Sequence, residues 1–382
     1  MLSFADNFTL FKKDNPQLID IENKIQEFVQ ASEGLQPDQQ LEKLKELGVH
    51  QIGFPSQYGG TPTNTAGLVA VCSAMTSSLV PRGVVTTWLM NIMVSRCYLL
   101  NHASKELCEQ WLPQVVRAEK VISIAVSEPE GGANPKTIKT EAKIQGDNVV
   151  INGTKTFITN GMIADAYVVM AITDVDATGK KAFSTFLVPR DTAGLSAVPM
   201  KEFDHMKPAT HATITLENCE VPVSNRVGKP GIAYDKYARP FPIFESVVQM
   251  GTQLGNLRIL IRECVQAMKE PSLYNDKIGL LASALSTLEL TAAESGNIVD
   301  SAAMSSELNR HLLAFNQQVE HLVDAGNGLF AALVKAMSEN DEHFELDSNP
   351  AYKNLATLAK FGRRANLARS KRAATELVSE IR

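Results

Sequence analysis

The chain has 382 residues, 44% of them hydrophobic and 21% charged, which is enough apolar material for two or three domains and excludes a disordered chain. Lys and Arg number 37 against 42 Asp and Glu, a formal charge of -5 with no long block of one sign, so a nucleic-acid partner is excluded as an expectation. Five cysteines without a Cys-x-x-Cys pair and seven histidines without metal-ligand spacing lead us to expect reduced thiols, a cytoplasmic location and no metal site.

Residues 1–118 read as a helical domain. Its first residues are acidic and polar, unlike a secretory signal or an Arg-rich transit peptide. "IDIENKIQEFVQ" and "PDQQLEKLKELG" carry helical spacing, with Gly48 placed to end the second. Two apolar helices follow, and Ser104 is placed to cap the helix of "KELCEQWLPQVV". The most apolar run, Val84 to Leu100, is interrupted by Thr86, Thr87, Asn91, Ser95 and Arg96; it reads as a buried helix and no membrane span is expected.

Over residues 119–235 the period falls to two. Gly146-Asp147-Asn148 and Asn152-Gly153 are turn signals between alternating stretches, and "AYVVMAIT", "FSTFLVP" and "ATITLENCEVP" are β-rich, so this is a small antiparallel β domain. Gly131-Gly132 opens no dinucleotide-binding helix, and "VGKPG" has Pro230 where a phosphate loop needs Ser or Thr. After "RVGKPG" and "ARPFP", residues 236–382 return to helical spacing, beginning with "PIFESVVQMGTQLGNLRILIRECVQAM". The fold class is α+β, with helices, strands and helices in that order. "ENDEHFELD" reads as a solvated loop, and "KFGRRANLARSKR" as a helix with its bases outward.

Five segments, "LGVHQIGFPSQYGG", "VISIAVSEPEGGANP", "VVINGTKTFITNG", "ADAYVVMAIT" and "MKPATHATITLENCEVPVSNRVG", stand in the order and rough spacing of the acyl-CoA dehydrogenase family, which this chain resembles over about residues 40 to 265. The resemblance implies an N-terminal helical domain, a central β domain, a C-terminal four-helix bundle and FAD held between sheet and bundle. It implies α,β-dehydrogenation of an acyl-CoA thioester, an electron-transfer flavoprotein or similar acceptor, and a homodimer or homotetramer. By the same match Phe157 packs beside the flavin ring, Thr159 hydrogen-bonds its rim, and Ile124, Val126 and Ser127 line it. A flat apolar ring with a polar edge suits an aromatic wall beside hydroxyl and amide donors.

Several positions depart from the family pattern. The Tyr-Glu-Gly-Thr motif that carries the base in most members is missing after Gly326; a minority place it at the start of the first C-terminal helix, and the resemblance to these implies Glu245 of "PIFESVVQMG" as the base. Ser246 follows it where the family has Arg, and "KEPSLYNDKIG" replaces the diphosphate-gripping Arg-x-x-Phe-Gly segment. "AGNGLF" resembles the family's Gly-Gly-x-Gly turn and puts Gly326 near the cofactor, while Ala133 lacks the usual hydroxyl. Two other readings stay open: a non-catalytic or flavin-poor homologous subunit of a heteromeric enzyme, and a flavin-dependent monooxygenase of the same fold.

Overall fold

A computed structural model describes the chain except residues 1–2, 4, 13–14, 302–305, 358–366, 368–369 and 372–382, so "KFGRRANLARSKR" lies outside the described residues at all but three positions. The first helices are α1 (Asp6–Thr9), α2 (Leu18–Ala31), α3 (Pro37–Glu46), α4 (Thr65–Ser77), α5 (Arg82–Val94, continued by a π turn at Ser95–Leu100) and α6 (Lys105–Val116). Gln36 and Gln39 form a capping box on α3, and Gly48, at φ 65°, ends it in the left-handed conformation that a Cβ would disfavour. Ser104 caps α6 by accepting from Leu107 N–H at 3.2 Å. The stretch Arg82–Leu100 is long and apolar enough to cross a membrane by length and composition alone, but 78% of its apolar window is buried within the fold.

The strands are β1 (Ile122–Ala125), β2 (Glu141–Gln145), β3 (Asn148–Thr159), β4 (Ala166–Val175), β5 (Lys181–Pro189), β6 (Leu195–Pro199), β7 (His211–Pro222) and β8 (Arg226–Val227). They form one sheet in the order β6-β7-β3-β2-β4-β5-β8, antiparallel for the most part, with β1 added parallel to β4. The expected Gly146-Asp147 turn joins β2 to β3 as a two-residue hairpin loop. The expected turn at Asn152-Gly153 is corrected: both residues lie inside β3, where the register against β7 slips between Ile151 and Gly153. This is a β-bulge. Gly153 takes φ 150°, and a Cβ there would come within 2.4 Å of Thr140 Oγ1, so only glycine fits.

The helices α7 (Phe241–Gln266), α8 (Asn275–Asp300), α9 (Ser306–Val323) and α10 (Leu329–Ser338) follow. By contact density the chain divides into two units, each assembled from separated segments: one from residues 1–29, 63–80 and 244–382, the other from 30–62 and 81–243. In the first, every residue of α4 is buried. Glycines bring the neighbouring helices against it, since a Cβ at Gly251 would meet Val69 O at 2.2 Å and one at Gly296 would meet Ala66 N at 2.6 Å. Asp300 accepts from Thr65 N–H and Oγ1 at 2.5 and 2.7 Å, and Arg258 pairs with Glu289, both side chains buried. In the second, Val149, Ile151, Tyr167, Val169, Phe186 and Ile214 form the sheet core. Helix α5 is tied to that sheet by Asn91 Oδ1, which accepts from Ile122 N–H at 3.0 Å, and by Asn160 Nδ2, which donates to Thr87 O at 3.0 Å.

Candidate functional site

Strict alternation from Val149 and Ile151 would bury Phe157 along with Lys155. A second register slip between Lys155 and Ile158 prevents it: Ile158 turns inward and Phe157 stays 52% exposed. Phe157 is also held at φ 57°, a conformation that costs a β-carbon-bearing residue about 1 kcal/mol or more. Phe157 is thus a large aromatic that is both strained and unburied at the end of a core strand.

Around it stand groups that the sheet brings together. Phe203, on the 3-10 turn Lys201–Met206, meets the Phe157 ring edge-on at 6.1 Å and stacks on His211 at 4.4 Å. His211 faces Thr159 across β7 and β3, with Nε2 3.1 Å from Thr159 Oγ1. Ser123 Oγ donates to Thr159 O at 2.9 Å, and Thr156 N–H donates to Ser127 O at 2.9 Å, so β1 and the segment after it run alongside the end of β3. Five of the expected site residues, Ile124, Val126, Ser127, Phe157 and Thr159, therefore share one region of one unit. All but Phe157 are half-buried.

Beneath that surface lies a buried ion pair. Lys155 Nζ, wholly buried, donates to Glu128 Oε1 at 2.9 Å and to Val126 O at 3.0 Å. Glu128 also accepts from Thr140 N–H, Thr140 Oγ1 and Lys139 N–H. Burial pulls the Lys155 ammonium down to about 8, against the opposing pull of Glu128. For Glu128, burial alone would raise the carboxyl, but Lys155 and Thr140 outweigh it and leave it lowered. The network, with the Thr156 N–H bond to Ser127 O, fixes residues 126–128 to β3 next to Phe157.

Residues 20–119 match the N-terminal domain of acyl-CoA dehydrogenases and residues 123–219 match their middle domain, together just over half of the chain. The chain belongs to the acyl-CoA dehydrogenase family. It is 31% identical over 205 residues to the short-chain specific mitochondrial acyl-CoA dehydrogenase of Rattus norvegicus, covering 53% of this chain and 48% of that one. It is 33% identical over 188 residues to cyclohexane-1-carbonyl-CoA dehydrogenase of Syntrophus aciditrophicus, covering 49% and 48%. The chain thus spans about half the length of the curated relatives it matches. In fold it is similar to a glutaryl-CoA dehydrogenase from Mycobacterium smegmatis in complex with FADH2, at TM-score 0.74 and 20% identity over 97% of this chain and 98% of that one. It is also similar to butyryl-CoA dehydrogenase from Megasphaera elsdenii, at TM-score 0.70 and 17% identity over 93% and 98%.

The other two family positions lie in the first unit. Glu245 is half-buried on α7, between the buried residues Phe244 and Val247, and burial raises its carboxyl above the usual range. Its place differs from the first turn expected of it, because α7 already begins at Phe241. Gly326 is exposed in the turn before α10, where Asp324 Oδ1 accepts from the amides of Gly326 and Asn327 at 2.9 and 2.8 Å. The solvated-loop expectation for "ENDEHFELD" is corrected at Glu342, which is buried and accepts from Lys269 N–H at 2.9 Å and Tyr274 Oη at 3.1 Å. Sequence reasoning missed Lys155, Glu128, Phe203 and His211. A lysine two places before Phe157 in an alternating strand was the one available signal; nothing in sequence sets His211 opposite Thr159.

Proposed function

We propose that the protein is an FAD-dependent acyl-CoA dehydrogenase that removes two hydrogens from Cα and Cβ of an acyl-CoA thioester. The observation that carries this reading is the exposed, strained Phe157 beside the Thr159 hydroxyl, a flat apolar surface with a polar edge that fits an isoalloxazine ring. When bound, FAD supplies the two-electron acceptor of the reaction. Ile124, Val126 and Ser127 would line the ring, and the Lys155–Glu128 pair would hold that backbone in place.

Glu245 takes up the α-proton at its carboxylate in this reading. Its position among apolar neighbours and its raised pKa favour a general base, and among the described residues it has no ion pair that would keep it acidic. A groove of ≈ 940 Å³ in the second unit supports a nucleotide-bearing substrate: Lys136, Lys180 and Lys236 line it and suit a diphosphate, although Asp174, Asp176 and Asp235 share the lining and Asp235 pairs with Arg239 at 2.9 Å. An absorbance spectrum of the purified protein, recorded before and after adding a short-chain acyl-CoA, tests cofactor and reaction together. Bleaching of a flavin band is expected in the wild type, with a rate lower by about 10²-fold or more in Glu245→Gln. A colourless protein that takes up no added FAD overturns the reading. A flavin that binds but is not reduced favours the non-catalytic homologous subunit, the alternative that Ser246, standing in the place of a cation, supports.

A further inference from the structure

Beside the groove that suits a diphosphate lies a second one, of ≈ 800 Å³, in the same unit. Ile232 and Lys236 stand in the walls of both, so the two adjoin where the chain enters a π turn at Tyr234–Ala238. Their linings differ in charge. Arg226 and Lys229, on and just after β8, line the second groove with Lys236, and none of these three cations makes an ion pair among the described residues, whereas Asp235 holds Arg239 in the first. Glu106 is the one acid on the lining among the described residues. It accepts from its own N–H and from the Ser104 hydroxyl, bonds that hold its carboxyl below the usual range.

The same lining supplies a ring. His102, half-buried just beyond the π turn that continues α5, lies against Tyr237 with ring centroids 4.0 Å apart and 32° between the planes. Tyr237 is itself buried and fixed, its Oη accepting from Lys229 N–H at 3.0 Å. The opposite face of His102 meets no ring among the described residues. Burial lowers the proton affinity of the imidazole against the opposing pull of the Asn101 backbone, so at pH 7 it is a flat, uncharged surface.

We propose that this second groove binds the 3′-phosphoadenosine end of the acyl-CoA, with the 3′-phosphate on Arg226, Lys229 and Lys236 and the adenine on the open face of His102. The inference rests on the acyl-CoA reading above and extends it past the diphosphate. CoA carries its charge in two places, the diphosphate and a phosphate monoester on the ribose that is close to a dianion at pH 7. In the first groove that monoester would meet Asp174, Asp176 and Asp235; in the second it meets three unpaired cations and one carboxylate already bonded elsewhere. Arg226 can grip two phosphate oxygens at once, and the lysines add point charge. A site for phosphate alone needs no ring, and a site for an apolar ligand needs no cations. A phosphate next to a purine uses both. The consequence is selectivity for thioesters of CoA over thioesters of a phosphopantetheine that lacks the nucleotide.

The test is calorimetric titration of the full-length protein with CoA and with 3′-dephospho-CoA, which differ only in that phosphate. The wild type should bind CoA tighter by about 10-fold or more. In Arg226→Gln combined with Lys229→Gln the preference should fall below about threefold, while affinity for 3′-dephospho-CoA stays within about twofold of the wild type, which a loss of fold would not allow. His102→Ala should loosen both ligands by an equal factor of about 5 to 10, and His102→Phe, which keeps a ring, should restore them. Equal affinities for the two ligands in the wild type, a preference that survives the loss of both cations, an equal weakening of 3′-dephospho-CoA and CoA in that variant, or CoA binding indifferent to His102→Ala each overturns the proposal; bleaching of the flavin band by acyl-CoA then leaves the dehydrogenase reading standing. A wild type that binds neither ligand overturns both.

Discussion

Lys155 is the side chain whose burial asks most of its partner. Removing it as Lys155→Met would strand the Glu128 carboxylate below the sheet surface, at a cost of about 3 kcal/mol or more. In a Glu128→Gln background the same change leaves no charge behind, so urea denaturation should show a much smaller loss; equal losses in the two backgrounds would mean the pair is not coupled. Glu245 gives a pH signature. Its folded-state pKa lies above the unfolded value near 4.5, so the native state resists its ionisation and loses stability as pH rises from 4.5 through the folded pKa. Glu245→Gln, which cannot ionise, should therefore melt higher than the wild type at pH 7 and match it near pH 4, while losing flavin reduction. A melting difference independent of pH would place the carboxylate in contact with water. Little of this was legible in sequence. Phe157 and Thr159 could be marked by resemblance, but Lys155 in "TKTF" looks like any exposed strand lysine, and only the bulge at Gly153 and the slip before Ile158 decide which of these side chains turn inward.

At the scale of elements, spacing read correctly wherever the signal was local. Ser104 and Gly48 mark real helix ends, and Gly146-Asp147 closes a real hairpin, because a cap or tight turn is decided within four residues. Asn152-Gly153 failed because the same dipeptide also satisfies a bulge, and the choice is made by Thr140 on another segment. Helix packing around α4 is equally non-local. Gly251→Ala should destabilise by about 1–3 kcal/mol in thermal or chemical denaturation, since the methyl has to displace the Val69 carbonyl; a neutral result would mean α7 can shift away from α4. On the outer side of α8, Leu280 at 55% and Leu290 at 58% exposure lie along one face with Ser283 and Thr287. We expect this stripe to be covered by another copy of the chain, so Leu280→Glu combined with Leu290→Glu should reduce the mass measured by light scattering. A wild type already monomeric at micromolar concentration counts against it.

For the molecule as a whole, what matters most is that neither unit is a continuous stretch of chain. A protein cut after residue 243 retains all eight strands and α5, yet α4 loses the segments that bear Gly251, Gly296 and Asp300. We expect that fragment to show circular dichroism of mixed helix and strand, to bind a hydrophobic dye and to aggregate; a monodisperse, dye-silent fragment would show that α4 needs no C-terminal partner. During synthesis the same arrangement imposes a schedule. Residues 63–80 leave the ribosome with a helix that carries no charged residue, and the chain that completes its cover beyond residues 1–29 begins only at residue 244, which at ordinary elongation rates is a wait on the order of 10 s or more. The strands can pair in that interval while α4 cannot be completed, so the nascent chain passes through a stage in which its sheet is finished and α4 is covered only from the side of α1. A chaperone that captures short apolar helices would find its target there, and stalling translation near residue 240 should trap that complex.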